Sequence, residues 1–471
     1  MDILIATKNN GKLNEFKAIL TEFGYNLISL QEYEEKHHQK IDDVEEYGQT
    51  LMENALIKAF YYYQMTNMPV ICDDTGLFIN YLNDEPGIYT ARYSGLGDKG
   101  NRDKVLNKLK NVENRSAHFE TNLVFYDGKM IITSTGRMDG SISLREKGTR
   151  GFGYDSIFYV DEYQKTLAEI TLEEKNTISH RFKALKSLVF KLNLYYNLID
   201  SKEYIKDLFK ELYKEEVKSI EIFNQGMSND TYLVESNSYK KMFRIPGYSS
   251  EIFIDRHHEL LGLNRVKGLE HFIQFDYFDE ITGIKVSSYI QRENTDQTDL
   301  LVTLKELHKL PKLGFSYDAF KRLRYYERLN KIINTTFSND YYQCLEALNK
   351  EKDYLFTKEL CFCHNDCQLS NFIGKHLIDF EFVGDNDKLF DYACFGNNDI
   401  NIAYQFVDMD EDIEDKNDAK HLINLYYIIQ SLSWYQVALF KHYTGFSEAS
   451  GLNFLEIAVM FLNKAKELSN L

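Results

Sequence analysis

Residues 363–391 read CHNDCQLSNFIGKHLIDFEFVGDNDKLFD, and this stretch decides the organisation of the second half of the chain. Two short apolar runs, 360–363 and 372–378, flank a polar loop that holds His364, Asn365, Asp366, Gln368 and Asn371. A second acidic pair, Asp379 and Glu381, follows directly behind the second run. Phosphoryl transfer from ATP calls for such a set. An aspartate accepts the proton of the attacking hydroxyl, an amide oxygen and a carboxylate hold magnesium, and apolar strands fix them in place.

The order His-x-Asp, four residues, Asn, then Ile-Asp-Phe resembles the catalytic and metal loops of kinase-fold small-molecule phosphotransferases. The form HNDCQLSN followed by LIDFE is most similar to the choline/ethanolamine kinase branch, of the bacterial LicA type. The resemblance implies a two-lobed α+β domain over residues 200–471, with a small lobe at about 216–292 and a large lobe at about 293–471. It implies Asp366 as catalytic base, Asn371 and Asp379 as Mg²⁺ ligands, and Gln368 near the nucleotide. Glu381 becomes a carboxylate behind the metal or on a second ion, and His364 a residue that orients backbone. Three short strands are expected at 220–223, 231–235 and 241–245, the first two joined by Asn224-Gln225-Gly226-Met227-Ser228-Asn229-Asp230. This looks like a nucleotide-phosphate loop, so Gly226, Met227, Ser228 and Asn229 are candidates to bind ATP. Arg244 occupies the place of the ATP-binding lysine of protein kinases, with Glu259 as its partner ion.

A quaternary ammonium group has no N–H to donate and is recognised by aromatic faces. The only tryptophan, Trp434, follows in an apolar helix and is the candidate wall for choline. Asp391, Tyr392 and Phe395 are further candidates near the mouth of that site, and the acidic run 408–418 reads as a solvated loop. His308 reads as structural. Ethanolamine or an aminoglycoside remains an alternative acceptor; an aminoglycoside site would favour many carboxylates.

The first half carries a different set of signals. A buried strand at 3–6 runs through Thr7-Lys8-Asn9-Asn10-Gly11-Lys12 into an amphipathic helix, a turn whose backbone donors and lysine suit phosphates. Gly48-Gln49-Thr50 precedes a helix with Glu53, Asn54 and Lys58. A strand at 70–72 is expected to empty into Asp73-Asp74-Thr75-Gly76. Arg150-Gly151-Phe152-Gly153-Tyr154-Asp155, Lys175 and Ser179-His180-Arg181 follow. Together these motifs resemble the inosine triphosphate pyrophosphatase (Ham1-like) family over residues 1–196, an α/β domain with a central mixed sheet. The resemblance implies that Glu53 and Asp74 hold Mg²⁺ and that Asp74 also activates water. It implies that Thr7 to Lys12 and Lys175 hold phosphates, while Thr75, Phe152, Gly153, Tyr154, Asp155, His180 and Arg181 hold base and sugar. Phe152 or Tyr154 can stack on a purine, and Asp73 reads as a turn cap. Substrates would be ITP, dITP and XTP, and a homodimer through this domain is implied.

Composition agrees with two cytoplasmic enzymes on one chain of 471 residues. A formal charge of −17 argues against a surface that coats nucleic acid. No apolar run approaches the length of a membrane span. The six cysteines are expected to be reduced thiols. Cys361 and Cys363 are placed on opposite sides of a strand, which argues against a zinc cluster with Cys367. Mg²⁺ is the cofactor expected in both domains and ATP the phosphate donor in the second. An alternative has one domain as a nucleotide-binding regulatory module without turnover, against which the intact acidic sets speak.

Overall fold

The computed structural model describes residues 2–225, 229–291, 293, 296–355, 358–446 and 451–469. The chain divides into two compact units, Met1–Ser201 and Lys202–Leu471. Among the described residues no helix is long and apolar enough to cross a membrane.

The first unit is built on an eight-stranded mixed sheet: β1 (Asp2–Ile5), β2 (Asn26–Ser29), β3 (Val70–Ile79), β4 (Pro86–Gly87), β5 (Ser116–Tyr126), β6 (Ile131–Ile142), β7 (Phe158–Val160) and β8 (Lys165–Thr166). The order is β2-β1-β3-β5-β6-β7-β8, with β4 paired to β3. β1 is parallel to both its neighbours, and the long β3, β5 and β6 are antiparallel. β3 does not stop at Cys72 as expected. It pairs with β5 without interruption from Val70 opposite Tyr126 to Ile79 opposite Ala117, so Asp73 and Asp74 lie inside a strand. The acids were mistaken for a loop because they interrupt the apolar pattern, yet their ladder partners Leu123 and Asn122 hold them in register. β1 is shorter. Its last pair with β3 is Ile5 opposite Ile71, after which the chain turns away into the helix Asn10–Leu20. The edge of β3 is therefore uncovered at Asp73, the kind of crevice in which open α/β sheets bind ligands.

The helix Leu51–Thr66 packs on β3 and β5, and the helix His180–Tyr195 packs on β6 and β5. Gly136 allows the second contact. A Cβ there would stand 1.9 Å from the carbonyl oxygen of His180 and 2.4 Å from the amide nitrogen of Ala184.

The second unit begins with the helix Ser201–Tyr213 and a five-stranded antiparallel sheet. Its strands are β9 (Ser219–Gln225), β10 (Asn229–Glu235), β11 (Lys240–Pro246), β12 (Phe275–Phe278) and β13 (Lys285–Ser288), in the order β12-β13-β11-β10-β9. The helix Arg256–Val266 intervenes between β11 and β12. Helices then dominate, among them Gln297–His308, Ala319–Ile332, Asn339–Lys350, the 28-residue Lys416–Tyr443 and Phe454–Ser469. Two small antiparallel ribbons carry the loop of the opening stretch: β14 (Cys361–Cys363) pairs with β17 (Gly384–Asn386), and β15 (Phe372–Ile373) with β16 (His376–Leu377). This is a sheet lobe followed by a helical lobe, the two-lobed kinase-like arrangement.

Gly136→Ala is expected to destabilise the first unit by about 1–3 kcal/mol, because backbone on the helix side cannot yield as a side-chain end can. A thermal melt checks this; an unchanged midpoint would mean that the helix stands off the sheet.

Two candidate active sites

Adjacent residues of a strand face opposite ways, and Asp73 and Asp74 divide accordingly. Asp73 accepts from Lys12 Nζ at 2.6 Å and from Thr75 Oγ1 at 3.1 Å. Burial opposes its charge, but Lys12, Arg181 and Lys58 outweigh that and bring it down to about 2. It is thus a buried ion-pair partner of the first turn's lysine, not a turn cap. Asp74 faces the helix Leu51–Thr66, accepting from Asn54 Nδ2 at 3.0 Å and lying 3.3 Å from Lys58 Nζ. Burial raises its pKa above the ordinary carboxylate value despite both lysines. Asn54 is itself fixed: its Oδ1 accepts the Gly48 N–H at 2.9 Å, and a Cβ on Gly48 would meet that oxygen at 2.5 Å. Lys58 also reaches Glu46 at 3.3 Å. Glu53 is fully buried and closes a capping box at Thr50, one oxygen accepting the N–H groups of Gln49 and Thr50.

The turn Thr7 to Lys12 is capped by its own side chains. Thr7 Oγ1 accepts from Asn9 N, and Asn9 Oδ1 accepts from Lys12 N. Lys8 points to an exposed pair with Asp43 at 2.6 Å, while Asn10 is exposed. Gly11 lies against Phe152, whose ring a Cβ would approach to 2.9 Å. Phe152 is 37% exposed, with the Lys175 ammonium 5.0 Å and the Arg181 guanidinium 5.9 Å from its centroid. Lys175 donates to Asp155 at 2.8 Å and lies 3.5 Å from Glu15, which also takes Arg181. Asp155 in turn caps the Phe152 N–H at 2.9 Å, and Gly153 at φ +59° makes the bend. A cavity of about 410 Å³ opens here, lined by Gly11, Glu15, Phe152 and Lys175 among others. His180 is buried, stacked on Phe119 at 4.8 Å, and held neutral by burial and by the neighbouring Arg181 and Lys175. Its Nδ1 is buried without a hydrogen-bond partner. Tyr154 is otherwise placed than expected: it sits in the core with its hydroxyl on the Thr90 carbonyl at 2.8 Å, leaving Phe152 as the ring that reaches the surface. Thr75 bonds Thr121 across the sheet at 2.9 Å.

In the second unit, Asn365 and Asp391 hold the catalytic loop. Asn365, at φ +64°, donates to the carbonyls of Cys363, Phe382 and Gly384 and accepts from Asn386 at 2.8 Å, tying the two acidic segments together. Asp391 is fully buried and accepts from the N–H groups of His364 (3.0 Å) and Asn365 (2.6 Å) and from His308 Nε2 (2.9 Å). The expectation that Asp391, Tyr392 and Phe395 lie near a pocket mouth is overturned, since all three are buried. His364 accepts from Asp366 N and reaches the Ile378 carbonyl at 2.8 Å, the backbone role expected of it.

On that scaffold Asp366 accepts from Asn371 Nδ2 at 3.0 Å and Gln368 Nε2 at 3.4 Å. Burial, then repulsion from Asp379, lifts its pKa well above the ordinary value. With its amide nitrogen so committed, Asn371 has only its Oδ1 to offer a cation. Asp379, at φ +66°, is raised to about 6 by burial and by Glu381. Facing carboxylates whose charge is this poorly matched suit a divalent cation, and their hard oxygen donors suit magnesium. Glu381 is engaged by protein donors. It accepts from Arg256 at 2.7 Å, Asn229 at 3.0 Å and Arg244 at 3.1 Å. Arg244 forks onto Glu259 at 2.5 and 3.0 Å, Arg256 adds a bond to Glu259 at 2.7 Å, and Lys285 stands at 3.3 Å. Gly226, Met227 and Ser228 lie outside the described residues; Asn229 opens β10.

A pocket beside Asp366 is lined by Phe253, Tyr317, Tyr326, Phe382, Trp434 and Lys441 among others. Trp434 is half-buried and stacks on Phe461 at 6.1 Å. Lys441 is buried, and burial pulls its ammonium down to about 8 against the attraction of Glu381.

Sequence reasoning left several of these groups without a role. Arg256 stands one turn before Glu259, and Asn54 and Lys58 follow Glu53 on a helix otherwise buried, so their spacing was a usable signal. Lys285 acts through folding that brings distant segments together and left none; Asn365 and Asp391 stand in the opening stretch, but their hold on the loop backbone comes from the fold. The acidic run also contains Asp410, fully buried and bound by Lys305 at 2.7 Å, Lys388 at 2.8 Å and Tyr392 at 3.1 Å. Cys361 and Cys363 share a face, their sulfurs 3.6 Å apart; residues two apart in a strand point the same way, which corrects the opposite placement.

The Ham1 family model matches residues 3–191. The dITP/XTP pyrophosphatase of Halalkalibacterium halodurans is 44% identical over 190 residues, which is 39% of this chain and 95% of that protein. That of Aquifex aeolicus is 40% identical over 200 residues, 40% of this chain and 95% of that protein. Among solved structures, the Ham1 protein of Staphylococcus aureus is 39% identical, covering 41% of this chain and 98% of its own, with a TM-score of 0.37. The choline kinase LicA of Streptococcus pneumoniae is 23% identical, covering 57% of this chain and 98% of its own, with a TM-score of 0.48.

Arg256→Met leaves Glu259 and Glu381 each short of a partner inside the lobe. Breaking a buried ionic cluster in this way is expected to cost about 3–5 kcal/mol, read as a lower denaturation midpoint of the second unit. A shift under 1 kcal/mol would show that Arg244 and Lys285 suffice.

Proposed function

Through residues 3–191 this chain belongs to the Ham1 family, and from that premise we propose that its first unit hydrolyses purine nucleoside triphosphates with a 6-keto base, ITP, dITP and XTP, to the monophosphate and pyrophosphate. The observation that carries the reading is Asp74, a partly buried carboxylate raised in pKa and held by Asn54 and Lys58. A raised pKa makes Asp74 a better proton acceptor. It takes the proton of the attacking water as the new bond forms at the α-phosphorus, and the bond from that phosphorus to the bridging oxygen breaks. Glu53 and Asp74 would hold Mg²⁺, which supplies charge neutralisation on the phosphates. Lys12, at the end of the first turn, and Lys175, in the cavity lining, are the cations to receive them. The exposed face of Phe152 takes the base, and the unpartnered Nδ1 of neutral His180 is a group that a keto base can satisfy and an amino base cannot in the same way.

For the second unit the reading is ATP-dependent phosphorylation of choline. Asp366 accepts the hydroxyl proton as the oxygen attacks the γ-phosphorus and ADP leaves. Asn371 and Asp379 would hold Mg²⁺, which would supply charge neutralisation on the phosphates, and Arg244, locked by Glu259 and Glu381, would serve the nucleotide. The pocket favours an ammonium alcohol over an aminoglycoside, because Asp366 is the single carboxylate among its described lining residues and six of the others are rings. Ethanolamine remains the alternative that a direct comparison decides.

Asp74→Asn is expected to lower pyrophosphate release from ITP by at least about 100-fold while kinase turnover persists, and Asp366→Asn to do the reverse. Either change silencing both activities in folded protein would defeat the assignment of two sites. Lys441 adds a pH dependence. Below about pH 8 it is charged and repels a cationic acceptor; above it the repulsion fades. Tyr317 and Cys394 in the same lining stay neutral because burial raises both. The KM for choline should therefore fall, on the order of tenfold, between pH 7 and 9, and Lys441→Met should flatten that profile.

A further inference from the structure

Behind the catalytic loop of the second unit lies a group of soft ligands that neither activity uses. Cys361 and Cys363 extend from one face of β14, with sulfurs 3.6 Å apart. His308, the last residue of the helix Gln297–His308, brings a ring nitrogen within 4.8 Å of both. We propose that Cys361, Cys363 and His308 bind one thiophilic cation, Zn²⁺ as its representative, apart from the magnesium carboxylates.

Three observations carry this. Two thiolates on one tetrahedral zinc, with Zn–S bonds of about 2.3 Å, stand roughly 3.7 Å from each other, the separation already present. A zinc-bound sulfur and imidazole nitrogen stand roughly 3.5 Å apart by the same geometry, so the ring has at most about an ångström to move. The His308 side chain is only 6% exposed, and its Nδ1 is buried without a hydrogen-bond partner. Its other nitrogen is already held by Asp391 Oδ2 at 2.9 Å. A carboxylate that fixes the tautomer and ring of a histidine, leaving the second nitrogen for metal, is the usual support of such a ligand. A disulfide between the two cysteines would leave that nitrogen as unsatisfied as before.

The donor set selects the ion. Thiolate and imidazole favour zinc or copper(I) over magnesium. Binding exchanges two thiol protons for one Zn²⁺: each sulfur loses its proton to solvent, and Cys363 gives up its weak bond to the Asn386 carbonyl at 3.4 Å. Cys361 is partly exposed, which supplies an entry path and room for a fourth ligand from solvent. Asp391 also holds the N–H groups of His364 and Asn365, so the cation would steady the loop that presents Asp366. His308 is then a positioning residue.

The test uses the full reduced chain with Co²⁺ as the probe. One Co²⁺ per chain is expected to give a thiolate-to-cobalt charge-transfer band, which Zn²⁺ removes and Mg²⁺ does not. The band should be lost in Cys361→Ser and in the Cys361→Ser, Cys363→Ser double variant. Cobalt on the oxygen ligands of the magnesium site gives no such band. Since a buried variant can misfold, the wild-type chain supplies a second readout: Zn²⁺ should slow alkylation of Cys361 at least tenfold, with release of two protons per ion bound. No thiolate band, a band that survives the double variant, or unprotected Cys361 would overturn the proposal.

Discussion

Taking a carboxylate out of water costs several kcal/mol unless a cation or a set of N–H donors comes with it, and both units place their acids under that constraint. Asp73 is matched by Lys12, Glu15 by Lys175 and Arg181, and Glu259 by Arg244, Arg256 and Lys285. Asp391 has no cation of fixed charge and is satisfied by two backbone N–H groups and an imidazole. The exceptions are the informative ones. Asp74, Asp366 and Asp379 are partly buried acids whose partners do not balance them, and all three have raised pKa values. Asp387, also raised by burial, caps its own helix and has no chemistry assigned to it, so imbalance accompanies the assigned acids without being confined to them.

That distinction explains what could be read from the sequence. Asp74, Asp366, Asn371 and Asp379 stood out because polar residues beside apolar strands have no other explanation at that spacing. The sheet-then-helices order of the second unit was legible from strand-length apolar runs and helical periodicity, and the mixed sheet of the first through the resemblance of its motifs. Partners contributed from far along the chain were not. Lys285 reaches Glu259 across 26 residues, and Asn229 reaches Glu381 across 152. Nothing local marks Lys285, and the loop pattern that marks Asn229 points to a nucleotide rather than to Glu381.

The misreadings share a cause. An acid reads as a sign of solvent, which ends β3 before Asp73 and leaves the run 408–418 wholly at the surface. Both are buried acids with cations attached, Lys12 in one case and Lys305 with Lys388 in the other. Tyr154 failed in the opposite sense: an aromatic in a glycine-rich motif reads as a ligand, yet its hydroxyl has a carbonyl to satisfy in the core.

The two sites also differ in how they hold their acids still. In the first unit Asp73 and Asp74 are rungs of a ten-residue strand, and ladder pairing on β5 fixes them without special backbone. In the second, Asp366 and Asp379 sit on loops, with Asn365 and Asp379 in left-handed conformations that non-glycine residues adopt at a cost. Such a backbone persists only where its surroundings over-determine it, and here they do. The three carbonyls bound by Asn365 and the two amides bound by Asp391 close the loop onto β17 and the helix that follows. A strand can present a base to a single bound polyphosphate from one direction. A kinase must bring an alcohol, two phosphates and a metal to one point, and a loop bent through left-handed residues lets Asp366, Asn371 and Asp379 converge there from three segments.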